Sequence, residues 1–375
     1  MISCGEPSGD LYAADLLARL RPRIAGLDAW GIGGDRLAGQ GAELVAHIRD
    51  LAVVGILEVI RHLPEIHRIY RRTVAEIDRH RPDAAVLIDY PDFNLRLARE
   101  LSGRGVPVIY YVSPQVWAWK RGRIDTIRKT VSRMLVIFPF EESLYRAERV
   151  PVAYVGHPLV DLVRPAPDRD EFLRLHGLDP RRPVVALLPG SRRQEIANNL
   201  PVLADAVRRL RAERPDIQFL LAVAPLLDAK ALLRGLVGLP VQAVHDETHA
   251  AVSVSDLALV ASGTATVETA LLGTPMVVVY RVSPLSYALG RPFVRVPHYA
   301  MVNIIAEREV VPELIQGAFT ATRVAAEALS LLTDGERRAR MKADLAEVCR
   351  RLGGGGASER AAVQVAEVLR AARRA

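Results

Sequence analysis

Short apolar runs rich in Val, Ile and Leu recur along the chain at residues 84–88, 106–112, 134–138, 184–188, 219–224, 257–260 and 276–280. Charged stretches with helical periodicity, such as 95–101 and 200–212, lie between most of them. A strand that is apolar throughout is buried on both faces. Such strands alternating with helices predict a parallel sheet covered on both sides, so the fold class is α/β. The pattern occurs twice, and between the two series the segment VRPAPDRDE (163–171), rich in Pro and charge, reads as a linker. The expected organisation is therefore two doubly wound, Rossmann-like domains, 1–165 and 166–340, followed by a helical tail, 341–375, that packs across the domains. Two such domains in tandem create a cleft between the carboxyl ends of two sheets, the usual ligand site of open α/β folds. After Gln316 the pattern is helical to the end, with four glycines at 353–356 separating two helices. Residues 1–4 are barely long enough for a first strand. A short edge strand and a start assigned a few residues late both account for this.

Composition narrows the function classes. At a prior of about 150 residues per domain, 375 residues agree with two domains. Half the residues are hydrophobic and a quarter charged, the balance of a folded chain. Cys4 and Cys349 lie near opposite ends in no metal-ligand spacing, which argues against a disulfide scaffold or zinc module and for a reducing cytoplasm. The opening residues show neither the basic nor the apolar region of an export signal. The most apolar stretch, 51–60, is ten residues long and contains Glu58, short of the roughly 18 that a span needs. Any membrane contact is expected to be peripheral.

The formal charge of +7 comes from 50 basic and 43 acidic residues, of which only four are Lys. Genome base composition explains dispersed arginine. Two local concentrations point instead to an anionic partner: 61–81, with six Arg and three His against three acids, and 120–133, with six basic residues against Asp125. The helix-periodic stretch 51–73 grades from apolar to basic, which suits either a surface helix packed on the sheet or an interfacial anchor on anionic lipid. A nucleic-acid module would require salt-steep binding and gives no reason for the strand-end carboxylates described next, so no nucleic acid partner is expected.

Several turns carry candidate chemistry. GEPSGD (5–10) is a strand-to-helix turn in which Ser8 or Asp10 can cap the following helix, and Glu6 with the turn amides can face the cleft. It lacks the GxGxxG dinucleotide pattern. In LIDYPDFN (87–94) a buried strand ends in Asp89, a position where partial shielding from water can tune a carboxylate into a general base. Asp92 reads as the cap of the next helix, and two carboxylates without a third ligand are weak evidence for a metal. SPQVWAWKRGR (113–123) places Trp117 and Trp119 two residues apart beside a basic run, which fits a core or a surface meeting a sugar, an acyl chain or a membrane. LLPGSRRQE (187–195) repeats the strand, Gly turn, helix design, with Arg192 beside helix amides able to hold phosphate oxygens. SGTATVE (262–268) does so again, and Glu268 one helical turn in suits a ribose diol. An anion nest joined to a diol acceptor points to a nucleoside diphosphate.

The runs GEPSGD, GIGGDRL, LAVVGILEV, IDYPDFN, YYVSPQVWAWKRGR, VGHPL, LLPGSR, ASGTATVE and MVVVYR, in this order across nearly the whole chain, resemble the lipid-A-disaccharide synthase family. The resemblance implies a glycosyltransferase of GT-B architecture, inverting and independent of metal or cofactor. Its substrates would be UDP-2,3-diacylglucosamine and 2,3-diacylglucosamine 1-phosphate (lipid X), and its products the β-1,6-linked disaccharide 1-phosphate and UDP. Carried over residue by residue, it assigns the base to Asp89 and further catalytic roles to Glu6 and Arg192. The family's nucleotide-binding segments fall on Gly190, Ser191, Arg192, Ser262, Gly263, Thr264 and Glu268, and its late Asn on Asn303. Gly5, Ser8, Gly9, Ser113, Trp117, Trp119, Ala265 and Thr266, from the turns described above, are further candidates for substrate binding. The flank of Asn303, MVNII, departs from the family's P-N-L-like stretch, and the family's first strand is usually longer than residues 1–4. The setting implied is the cytoplasmic face of the inner membrane of a Gram-negative bacterium. The helical tail from Arg323 can cross to the other domain or to a second subunit, so a homodimer stays open. Rival readings are a UDP-sugar 2-epimerase and a muramyl-pathway glucosaminyltransferase of the same architecture.

Overall fold

Both sheets are wholly parallel among the described residues. The computed structural model describes residues 1–373 except 52–55, 117–121, 225–226, 284–286 and 288–296, and the side chains of 56–62 also lie outside the description. The first sheet has the order β3-β2-β1-β4-β5-β6-β7, from β1 (Ile2–Cys4), β2 (Trp30–Gly33), β3 (Glu43–His47), β4 (Ala85–Ile88), β5 (Val108–Tyr111), β6 (Arg133–Val136) and β7 (Val152–Tyr154). The second runs β10-β9-β8-β11-β12-β13, from β8 (Val184–Leu188), β9 (Gln218–Val223), β10 (Val241–His245), β11 (Leu257–Ala261), β12 (Met276–Tyr280) and β13 (Glu313–Ile315). Each sheet starts at its centre, winds outward to one side and then crosses to the other. This doubly wound order opens a crevice at the carboxyl edge where the winding reverses. The reversals lie between β1 and β4, and between β8 and β11.

Contacts divide the chain into two compact units, Met1–Asp161 with Leu352–Ala375, and the described residues between Leu162 and Arg351. The helix Gly335–Arg351 thus belongs to the second unit, and the helix Ala357–Ala372 returns to the first.

Burial explains which strands were legible. Every residue of β4, β5, β8, β9 and β11 is buried, as a central strand covered on both faces requires. The four edge strands are partly exposed; β3, β10 and β13 mix polar with apolar residues, and β7 is only three residues long. The first strand is no edge strand. It pairs on both sides, Ile2 with Gly31 and Cys4 with Ile88, in the middle of the sheet.

Helix α1 (Pro7–Leu20) begins after Glu6, and no side chain caps it, contrary to the expectation for Ser8 and Asp10. Asp10 lies inside the helix, buried, with a different task. Its carboxylate accepts the backbone N–H groups of Gly34 (2.6 Å), Arg36 (3.1 Å) and Leu37 (3.1 Å) at the start of α2 (Asp35–Gly39). A helix start leaves such donors without intrahelical partners and carries partial positive charge, so an anion there satisfies both. Asp10→Ala is expected to lower the free energy of unfolding, read by urea titration, by about 2–3 kcal/mol.

His157 is buried in the first unit, its ring edge-on to Tyr12 and tilted against Phe138, with Nδ1 accepting the Leu159 N–H. Burial lowers its pKa to about 3. The unfolded chain therefore takes up a proton that the folded chain refuses. This contribution is complete above the ordinary His value near 6.5 and declines as pH falls toward 3, by about 1.4 kcal/mol per pH unit. Between pH 6 and 4, His157→Asn, whose Oδ1 can replace Nδ1 as acceptor, is expected to lose stability less steeply than the parent by that slope in paired urea titrations.

Candidate active site

In the first unit, the neighbouring strands β1, β4 and β5 deliver the turns that follow them to one edge, with Cys4 level with Ile88 and Ile88 level with Tyr111. Asp89 and Tyr90, at the end of β4, are both left-handed, with φ of 47° and 48°. Such values are uncommon outside glycine and are held only where the surroundings over-determine them. Here Tyr110 Oη donates to the Asp89 carbonyl at 2.6 Å and Asn94 Nδ2 donates to it at 2.8 Å. Burial, reinforced by the Asp89 carboxylate, pushes the Tyr110 phenol well above its usual range and keeps it a donor. Asn94 also donates to the carbonyls of Ile88 and Ser3 and accepts from Ser3 Oγ, tying β1 to β4. Asp89 is left half-buried at the strand end.

The turn after β1 fits this geometry closely. Gly5 packs against the Tyr90 ring so tightly that a Cβ would lie 2.3 Å from a ring carbon. Glu6 and Ser8 are half-buried beside it, and Gly9 is buried. Helix α4 (Pro91–Gly103) follows Tyr90, so Asp92 and Asn94 sit inside the helix rather than at its cap. Asp92 instead pairs with Arg123 at the start of α5 (Arg123–Thr130). Ser113 is buried, and its hydroxyl donates to the Pro114 carbonyl and shares a 2.7 Å hydrogen bond with Tyr145 Oη. That places Ser113 in the support of the turn after β5. Trp117 and Trp119 lie outside the described residues.

In the second unit, β8 and β11 are neighbours, so the turns at 189–192 and 262–263 emerge side by side. Gly190 has φ of 130°, and a Cβ there would stand 2.6 Å from the Glu195 carboxylate. Glu195, in the first turn of the helix Arg193–Glu213, folds back over the turn. One oxygen accepts the Ser191 N–H and the other the Arg192 guanidinium, each at 3.1 Å. The sequence suggested open amides beside Arg192; in the structure, Glu195 occupies the Ser191 amide and orients Arg192. Asn199, buried in the same helix, joins the Pro189 carbonyl to the Arg281 N–H after β12.

At the second turn, Gly263 and Thr264 are exposed and Ala265 is half-buried, at the start of the helix Thr264–Leu271. Ser262 Oγ donates to the Tyr299 carbonyl, and Thr266 Oγ1 to the Gly263 carbonyl. Glu268 is half-buried, with Oε1 3.6 Å from Nε2 of His249. Sequence reasoning missed His249, which lies on a short separate helix (Thr248–Ser253) with no motif around it. Asn303 is fully buried. Its Oδ1 accepts the Val310 and Val311 N–H groups, and its Nδ2 donates to the Val311 carbonyl and Glu313. Glu313 in turn holds the amides of Tyr299 and Ala300. Asn303 thus supports the segment that Ser262 touches. Among the described residues, no three His, Cys, Asp or Glu side chains converge as metal ligands.

Comparison with known proteins places this geometry in a family. The family model described as lipid-A-disaccharide synthetase matches residues 1–368. The lipid-A-disaccharide synthase of Koribacter versatilis (strain Ellin345) is 48% identical over 380 residues, covering 100% of this chain and 98% of its own. That of Geobacter sulfurreducens is 46% identical, covering 98% and 97%. Among solved structures, UDP-GlcNAc 2-epimerase from Neisseria meningitidis bound to UDP-GlcNAc superimposes with a TM-score of 0.63 at 12% identity, over 96% of this chain and 97% of its own. MurG from Acinetobacter baumannii does so with a TM-score of 0.55 at 12% identity, over 98% of each. These structures share the GT-B fold with this chain. The agreement in sequence over its full length goes further, and this chain belongs to the lipid-A-disaccharide synthase family, glycosyltransferases of lipid A biosynthesis.

Proposed function

We propose that the chain joins UDP-2,3-diacylglucosamine to the 6-hydroxyl of 2,3-diacylglucosamine 1-phosphate. On this reading the Asp89 carboxylate takes the hydroxyl proton as that oxygen attacks the anomeric carbon of the donor. The bond from that carbon to the UDP oxygen breaks with inversion, its electron pair leaving on UDP. The observation that carries the reading is the doubly anchored, left-handed turn at Asp89, which fixes a carboxylate at the reversal of the first sheet. A base acts only from a defined position within hydrogen-bond reach of its proton.

The first unit serves the acceptor and the second the UDP-sugar. Arg192, held by Glu195, and the helix start at Gly263, Thr264, Ala265 and Thr266 stabilise the charge growing on UDP. Such preorganised help does not have to reorient as charge develops. Glu268 accepts the ribose hydroxyls, with His249 steadying the carboxylate. Glu6, with Gly5, Ser8 and Gly9, lines the acceptor crevice, and Ser113 and Asn303 act as positioning residues. The long helix α3 (Ile56–His80) carries exposed Arg68, Arg71 and Arg72, cations suited to an anionic bilayer. Among the described residues no helix is long and apolar enough to cross a membrane. On this reading the chain sits peripherally on the cytoplasmic face of the inner membrane, where the acyl chains of both substrates reside.

Asp89→Asn keeps the shape of the turn and removes the base. Its kcat, followed by UDP release in detergent, is expected to fall about 100-fold or more; near-parental turnover would refute the assignment. The epimerase reading is tested by incubation with UDP-N-acetylglucosamine alone, where an epimer formed without UDP release would overturn the transferase reading.

A further inference from the structure

We propose that the pocket between α4 and α5 binds the phosphomonoester of the acceptor sugar through Arg96 and Arg99. This deepens the function proposed above and rests on it. The pocket is an open cavity of about 410 Å³ whose lining includes Asp92, Arg96 and Arg99 of α4 and Arg123 and Thr126 of α5. Three guanidinium groups face one carboxylate, a formal balance of +2. The single acid is engaged, because Asp92 pairs with Arg123. Arg96 and Arg99, both exposed and one helical turn apart on one face of α4, make no ion pair among the described residues. Among the described residues Arg99 donates to the neutral hydroxyl of Thr126, at 2.8 Å.

Nearby arginines differ. Arg104, just past the end of α4, pairs with Asp78 and Glu100, and Arg128 pairs with Asp125 and Glu148. Neighbouring acids therefore neutralise Arg104 and Arg128, whereas Arg96 and Arg99 stand in a concavity. A phosphomonoester carries about −1.5 to −2 charges near neutral pH, which matches that balance, and arginine forks suit its oxygens in bidentate contact.

Placement selects the acceptor. The pocket begins at the helix start directly after Asp89 and Tyr90, and Arg96 lies five residues beyond Pro91, roughly 7.5 Å of helical rise. The acceptor carries its nucleophilic 6-hydroxyl on the exocyclic carbon of C5 and its phosphate on C1, the two carbons that flank the ring oxygen, so base and phosphate site must lie within several ångströms of each other. A base at Asp89 and two arginines farther along α4 meet these two groups separately.

The test is the exposed double variant Arg96→Gln/Arg99→Gln, assayed as the whole chain in mixed micelles. Its KM for the 1-phosphorylated acceptor is expected to rise about 10- to 100-fold, with the donor KM within about twofold. With the same acceptor lacking the 1-phosphate, the difference between parent and variant should shrink to about twofold. Sedimentation with phosphatidylglycerol vesicles should be unaltered. Equal penalties on both acceptors would overturn the proposal. So would lost vesicle binding with an unmoved KM, which would assign the arginines to bilayer headgroups. Should the parent chain make no disaccharide, the proposed function fails, and calorimetric titration with glucosamine 1-phosphate against glucosamine still tests the pocket. Phosphate-dependent binding lost in the variant supports it, and its absence in the parent refutes it.

Discussion

The two hydrogen bonds converging on the Asp89 carbonyl, from Tyr110 and Asn94, are the constraint around which the first unit is organised. They hold a left-handed turn at the end of a buried strand. Tyr90 is thereby carried against Gly5, and α4 starts directly after it. Each consequence depends on the one before. The buried phenol stays protonated, the turn stays bent, and the carboxylate stays at the carboxyl edge where the strand order reverses. The placement of the Asp89 carboxylate and the stability of the fold come from the same buried groups.

The second unit uses the same strand order with different electrostatics. Its first turn already holds a carboxylate, that of Glu195, over the helix start. Its second turn leaves a helix start with exposed Gly263 and Thr264. The two turns therefore differ in what they offer an anion. The first contributes a held guanidinium, and the second contributes amides with Glu268 one turn deeper. A leaving diphosphate with an attached ribose needs charge stabilisation at one end and a hydroxyl acceptor at the other.

The central strands were readable because strands buried on both faces are apolar at every position. The edge strands β3, β10 and β13, with polar residues among the apolar ones, and β2 with its two glycines (WGIG) carry no such signature, and β7 is too short to stand out. The turns were readable as places, less so as roles. Ser113 and Asn303 are polar residues in the right motifs, yet their hydrogen bonds point inward. Asp10 looks like a local cap but serves a helix 25 residues further along, a partner that only the β1–β2 pairing brings near. Glu195 was legible as a first-turn acid, whereas its hold on Arg192 depends on the backbone path at Gly190. His249 lies on a short helix with no motif around it, and Asn199 lies beyond the motif that opens its helix.

Inverting glycosyl transfer between two diacylglucosamine substrates by one chain leaves its record in the stereochemistry and stoichiometry of the product. Its most direct measurement combines mass spectrometry and proton NMR of the product formed from UDP-2,3-diacylglucosamine and lipid X by the folded chain in detergent. Inverting transfer gives one UDP per disaccharide 1-phosphate and a β configuration at the new 1,6 linkage. An α linkage, or UDP released without disaccharide, would contradict it.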